Sequence, residues 1–162
     1  MSNDAHEEGI GAALGRVPSG LFIVTVQQER GAPMGFLASF VQQVSFDPPT
    51  VAVAISTERD HLEAVRAAGR FGVSVLGEDD KGLMKPFFKG PEDGSPFDDV
   101  ASTATERGAC VLTDALAWLD CRLAGEHRAG DHVVVFGVVE EGSRQREGDP
   151  LTHTRKNGLR YS

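Results

Sequence analysis

Cysteine is scarce in this chain of 162 residues: there are only Cys110 and Cys121. Two cysteines eleven positions apart make no disulfide framework. Long hydrophobic runs are lacking too. A typical apolar run is Val133–Phe136, far below the roughly 18 residues that span a bilayer. Basic residues are outnumbered, 16 Lys and Arg against 24 Asp and Glu, for a net charge of -8. That excludes the basic footprint of a nucleic-acid module. It leaves room for one anionic ligand held by a local basic cluster. Met1 to Gly9 is acidic and polar, without the apolar stretch of a signal peptide. There is no Walker motif and no His-Glu-x-x-His. A cytoplasmic protein is expected.

What is present is ordinary globular composition, 40% hydrophobic and 25% charged, in a length that suits one domain. We expect that domain over residues 10–153, between an N-terminal tail, 1–9, and a loosely held C-terminal tail, 154–162. Leu21 to Val26 is β-branched and aromatic and apolar on both faces, as a strand with a layer on each side would be. Gly35 to Val44 and Val51 to Ile55 predict further strands, separated by Asp47-Pro48-Pro49. Asp60 to Gly69 predicts a helix: Asp60 and Glu63 form a capping-box pattern, Leu62, Val65 and Ala68 an inner stripe, and Gly69 a stop. Phe71 to Leu76 predicts a strand, and Glu78 to Phe88 a helix distorted by Pro86. In Trp118 to Leu123 the residues Leu119, Cys121 and Leu123 face inward. His132 to Glu140 is a last long strand. The pattern is mainly β, a small barrel capped by helices.

Several motifs fail on context. Gly9-Ile10-Gly11-Ala12-Ala13-Leu14-Gly15 imitates a dinucleotide fingerprint, but no strand precedes it and the third Gly is one residue late. Gly72-Val73-Ser74-Val75-Leu76 lacks the closing Gly of a nucleophile elbow, and Ser74 reads as buried. Cys110, Cys121, His127 and His132 lack the short Cys spacing of a structural zinc knuckle. Two reduced core cysteines and no metal are expected.

Three segments keep a functional reading. Ile55 to His61 runs from a strand end into a helix start, where backbone amides attract anions. Ser56 and Thr57 add hydroxyls, and Arg59 adds the charge a phosphate needs. A plain turn with a good N-cap is the other reading. Gly35-Phe36-Leu37-Ala38-Ser39-Phe40 would make a wall for a flat ring. Gly130-Asp131-His132 is a turn with a His at the strand start, a role that is usually structural.

In order and spacing these segments resemble the flavin reductase-like, FMN-binding split-barrel family, from about Leu14 to Leu151. Arg16 to Thr25 is similar to that family's opening strand. Gly35 to Phe40 with Val44-Ser45-Phe46-Asp47-Pro48-Pro49 is similar to its core signature. Gly69 to Leu76, Leu119-Asp120-Cys121 and Gly130-Asp131-His132 with Phe136-Gly137-Val138-Val139 are similar to later strands. Pro18-Ser19-Gly20-Leu21 and Leu83-Met84-Lys85-Pro86-Phe87-Phe88 are most similar to the reductase module at the C-terminus of flavodiiron proteins.

The resemblance implies a homodimer of split barrels with FMN near the interface, FAD being the other option. It implies that Gly35, Phe36, Leu37, Ala38, Ser39 and Ser45 lie along the isoalloxazine ring. It implies that Ser56, Thr57, Arg59 and His61 lie at the phosphate end, with His61 where the family more often has Thr. His132 falls on the nicotinamide side. Pro96 stands where the family often has Lys or Arg, and Lys89 is the candidate replacement. The expected activity is hydride transfer from NADH or NADPH to flavin, which needs stacked rings rather than an acid–base pair. Electrons would pass to a monooxygenase or diiron partner, ferric iron or oxygen. The alternatives are an electron-carrying FMN module reduced by a partner protein, and a barrel that has lost its flavin.

Overall fold

In the computed structural model, which describes residues 3–89 and 94–161, strands dominate. The order is helix α1 (Asn3–Leu14), β1 (Ser19–Gly20), β2 (Phe22–Val26), β3 (Met34–Ala38), β4 (Val41–Phe46), β5 (Pro49–Ser56), α2 (His61–Ala68), β6 (Arg70–Val75) and α3 (Lys81–Lys89). A short 3₁₀ turn (Pro96–Asp98), β7 (Ser102–Ala104), β8 (Cys110–Leu112), β9 (Ala117–Ala129), β10 (His132–Arg144) and β11 (Thr152–His153) follow. Seven strands form one sheet in the order β3-β2-β6-β9-β10-β5-β4. Every pairing in it is antiparallel.

The sheet curls around a single core. Side chains from β2, β3, β5, β6, β9 and β10 meet Leu62 and Val65 of α2 in one buried cluster. That cluster joins the two ends of the sheet: Phe36 and Ala38 come from edge strand β3, and Val41 of β4 packs against it. The two-sided apolarity of β2 has the expected cause. Val24 and Val26 face this core, while Leu21 and Ile23 face a second cluster with Leu76 and Leu112, covered by Leu83, Met84 and Phe87 of α3. The mainly β, split-barrel reading with helical caps agrees with this architecture. Among the described residues no helix is long and apolar enough to cross a membrane.

Several local expectations change. Gly35 to Val44 is two strands, broken at Ser39-Phe40. Asp60 stands before α2 but makes no side-chain cap bond, since its own backbone is helical (φ -61°, ψ -20°) rather than extended; Glu63 pairs with Arg66. Gly69 does stop the helix, at φ +66°. Ala68 is exposed, and the inner stripe is Leu62 and Val65. The α3 helix starts at Lys81, with Pro86 inside it. Asp120 lies on the face of β9 opposite Leu119, Cys121 and Leu123, yet it is fully buried. The Arg70 guanidinium and the Thr105 hydroxyl both donate to it. Arg70 also reaches Glu140 at 2.8 Å, so the buried carboxylate belongs to a paired network.

The ends of the chain depart furthest from expectation. The polar composition of residues 1–9 predicts a tail, but residues 3–9 are the first turns of α1. Residues 155–158 lie against the end of that helix. Arg155 N donates to Gly15 O at 3.1 Å and Gly158 N to Gly11 O at 2.7 Å. The Arg16 guanidinium donates to Arg155 O at 2.7 Å. A β-carbon on Gly15 would stand 2.3 Å from Arg155 O. Two of the fingerprint-like glycines, Gly11 and Gly15, are therefore a close-approach face for the C-terminal segment.

Candidate active site

The turn between β5 and α2 is assembled by β10. Ser56 pairs with His132 across the sheet. The backbone N–H and the hydroxyl of Thr57 both donate to Asp131 O, at 2.9 and 3.1 Å. Ser56 Oγ accepts the Glu58 amide at 3.3 Å, and the Arg59 amide donates to Ser56 O at 3.0 Å. These bonds lock the turn. They also engage amides that the anion argument had left free. The attraction for a phosphate then falls mainly on side chains, above all Arg59.

Arg59 leans over Phe36, 5.2 Å from the ring centroid. His61 packs on the same ring at 4.9 Å, and its Nε2 donates to Gly35 O at 3.1 Å. His61 Nδ1 is buried without a hydrogen-bond partner. Burial, aided by the Arg59 charge, holds the His61 pKa below its ordinary value, so the ring is neutral near pH 7.

Arg59, packed on Phe36, lines a groove of about 450 Å³. One wall is Leu37, Ala38 and Ser39, and another is Met84, Phe87 and Phe88 of α3. Arg59 and Arg155 lie on its rim with Tyr161. Among the described residues neither arginine has a carboxylate partner. Arg155 stacks over Phe40 at 4.7 Å, and its Nη1 is buried and unpartnered. An apolar slot with two unpaired guanidinium groups fits a flat ring that carries an anion. The orphaned Arg155 Nη1 gives that anion a further donor.

His132 stands beside this groove. Its ring is 5.5 Å from Phe40 and 5.7 Å from Tyr161. Nδ1–H donates to Asp131 Oδ1 at 2.7 Å. That bond holds the Asp131 carboxyl below the ordinary range.

Leu37, Ala38, Ser39, Phe36, Arg59 and His61 therefore converge, with Ser56, Thr57 and His132 at the adjoining turn. Gly35 and Ser45 do not line the groove. A β-carbon on Gly35 would meet Phe87 at 2.8 Å and Phe97 at 3.0 Å, so this glycine admits two rings and offers its carbonyl to His61. Pro96 opens the short turn that presents Phe97 to Phe87. Ser45 pairs with Thr50, six residues along β5 from Ser56, or about 20 Å. The Lys89 side chain lies outside the described residues. Arg155 and Tyr161 are additions. The basic C-terminal stretch was their only signal, and nothing local places it here.

A family model described as flavin reductase like domain matches residues 14–160. The chain belongs to this flavin reductase-like family. It is 31% identical to a flavin reductase of Pseudomonas putida, over 89% of this chain and 84% of that protein. It is 36% identical to diflavin flavoprotein A 1 of Synechocystis sp., over 92% of this chain. There it spans about a quarter of the relative's length, 26%. Among solved structures it resembles the styrene monooxygenase flavin reductase of Pseudomonas putida S12, with a TM-score of 0.77 and 30% identity, covering 88% of this chain and 90% of that one. Two of these three matches are named flavin reductases. The groove of this flavin reductase-like domain has walls and charges suited to a flat ring that carries an anion.

Among its described residues, no group of three or more His, Cys, Asp or Glu side chains is placed to hold a metal ion. Cys110 and Cys121 are buried free thiols. Ser74 is fully buried, and its Oγ accepts the Leu112 amide at 3.0 Å.

Proposed function

We propose that this chain binds FMN in the Leu37–Ser39 groove and serves as a reductase that takes its hydride from NADH or NADPH. The observation that carries the reading is the groove itself. In a chain of this family, it joins an apolar slot to Arg59 and Arg155, two cations left without carboxylates. Its volume, near the small end of the range for ligand sites, suits a mononucleotide better than FAD.

Arg59 and Arg155 would hold the phosphate, with the Ser56 hydroxyl as a further donor. Leu37, Ala38 and Ser39 would lie along one side of the ring, and Met84, Phe87 and Phe88 would exclude water from the other parts of the slot. A bound flavin supplies the hydride acceptor. His132, held by Asp131, would orient the nicotinamide, so the protein's contribution is placement and a dry site. Electrons would go on to a separate enzyme that consumes reduced flavin.

A homodimer also suits the surface. Phe46 is 91% exposed and Val17 63%. Val17 precedes Pro18 and Phe46 pairs with Pro49 across β4 and β5; both prolines line a second, apolar groove of about 420 Å³ with Phe22, Val41 and Val51. A second copy would cover this face.

The test is an anaerobic visible spectrum of the protein with FMN, before and after NADH or NADPH. Bleaching well above the protein-free rate is expected. A retained flavin band that neither nucleotide bleaches would replace the reductase with an electron-carrying module. Arg59→Ala is expected to weaken FMN binding by roughly tenfold or more, the scale of one lost charge-assisted contact. Unchanged affinity would remove Arg59 from the site.

A further inference from the structure

Beyond β11 the chain crosses to the groove and delivers one phenol to it. Backbone bonds tie this strap to the body as far as Gly158. Among the described residues beyond it, the bond from Leu159 N to Asn157 Oδ1, at 2.8 Å, is local to the strap. Tyr161 then stands with its ring 5.7 Å from both Phe40 and His132, and the Arg59 guanidinium lies 6.0 Å from its centroid. The ring, 54% exposed, thus has two tilted aromatic rings and a cation for neighbours. Its hydroxyl meets His132 Nε2.

The direction of that bond follows from the other ring nitrogen. Asp131 takes the proton-bearing Nδ1, so a neutral imidazole has one lone pair left, at Nε2. Tyr161 must donate into it. Burial raises the Tyr161 pKa above its ordinary value, which keeps the phenol protonated and able to donate. A nicotinamide has the same two features, a flat ring and an N–H donor on its carboxamide.

We propose that Tyr161 is a built-in occupant of the nicotinamide side of the groove. It holds His132 in the Nδ1–H tautomer and packs against these rings, and an incoming dinucleotide displaces both its ring and its hydrogen bond. Residues 159–161 act as a flap hinged after Gly158. The proposal rests on the reading of His132 as the nicotinamide-facing group.

The experiment uses the FMN-loaded protein and its Tyr161→Phe and Tyr161→Ala variants. Each is titrated with NAD⁺ and NADP⁺, which bind without turnover, and FMN affinity is measured alongside. Removing one neutral hydrogen bond corresponds to about three- to tenfold in an equilibrium. Tyr161→Phe is therefore expected to tighten nicotinamide binding by that factor, with FMN affinity within twofold of the parent. KM for the reduced nucleotide should fall while kcat holds. Tyr161→Ala, which also removes the ring, should tighten it further. In ¹⁵N spectra of the histidines, the parent should show His132 as the Nδ1–H tautomer with Nε2 hydrogen-bonded, and Tyr161→Phe should shift the Nε2 signal. Nicotinamide binding that is unchanged or weaker in both variants overturns the proposal and leaves the reductase reading standing. FMN binding without any nicotinamide binding, in parent and variants alike, overturns both.

Discussion

Gly15→Ala sets local propensity against tertiary contact. Alanine is the better helix former by about 1 kcal/mol in a helix interior, so local reasoning alone expects a neutral or stabilising change at the end of α1. The packing expects the reverse. The new β-carbon would stand 2.3 Å from Arg155 O and 3.1 Å from its carbonyl carbon. Ordinary contacts of this kind are well beyond 3 Å, so the strap must retreat by roughly 1 Å. Both partners are backbone, with no rotamer to give way. Retreat stretches the bonds from Arg155 N to Gly15 O and from Arg16 to Arg155 O. Overpacking of this order costs about 1–3 kcal/mol. In a chain of this length that lowers Tm by roughly 2–12 °C. Gly9→Ala is the internal control: Gly9 lies in the same helix with nothing within 4 Å of the added carbon. It should raise stability by up to about 1 kcal/mol. Thermal unfolding of both variants, followed by circular dichroism, reads the two signs. Because the strap carries Arg155, flavin affinity should fall in Gly15→Ala and hold in Gly9→Ala. If Gly15→Ala is as stable as the parent, the strap does not lie where the close approach puts it.

Asp120→Ala should destabilise by about 3 kcal/mol, toward the low end for breaking a buried pair, because Arg70 keeps Glu140; urea unfolding checks it, and a loss below 1 kcal/mol would refute the buried network. His61 and His153 both have folded pKa values below 6.5. The unfolded chain therefore binds more protons in mild acid. Stability should be full above pH 6.5 and fall as the pH drops below it, and His61→Gln should flatten part of that slope in a pH series of melts. Burial pushes the Cys121 thiol up to about 12 and raises Cys110 as well. Both should resist a thiol reagent at pH 8 until the protein unfolds; rapid labelling of the native protein would show that these strands open.

The features legible in the chain are those set by neighbours in sequence. β-Branched runs make β2, β5 and β10 because such side chains suit a pleated surface, and the two-sided apolarity of β2 announced a layer on each side. Gly69 ends α2 because a left-handed residue closes a helix. The strand-to-helix turn at Ser56–His61 was readable for the same local reason, but not the bonds to Asp131 O and within the turn that engage its amides. What folding alone decided are contacts between residues far apart in sequence. Asp120 carries no sign of burial in its own strand; it is buried because Arg70 and Thr105 close over it. Gly11 and Gly15 imitate a nucleotide motif, and only the approach of Arg155 and Gly158 gives them a purpose. Arg155 and Tyr161 reach Phe40, Arg59 and His132 across a long separation in sequence. No local pattern encodes that meeting, because long-range packing is selected by the shape and charge of both surfaces at once.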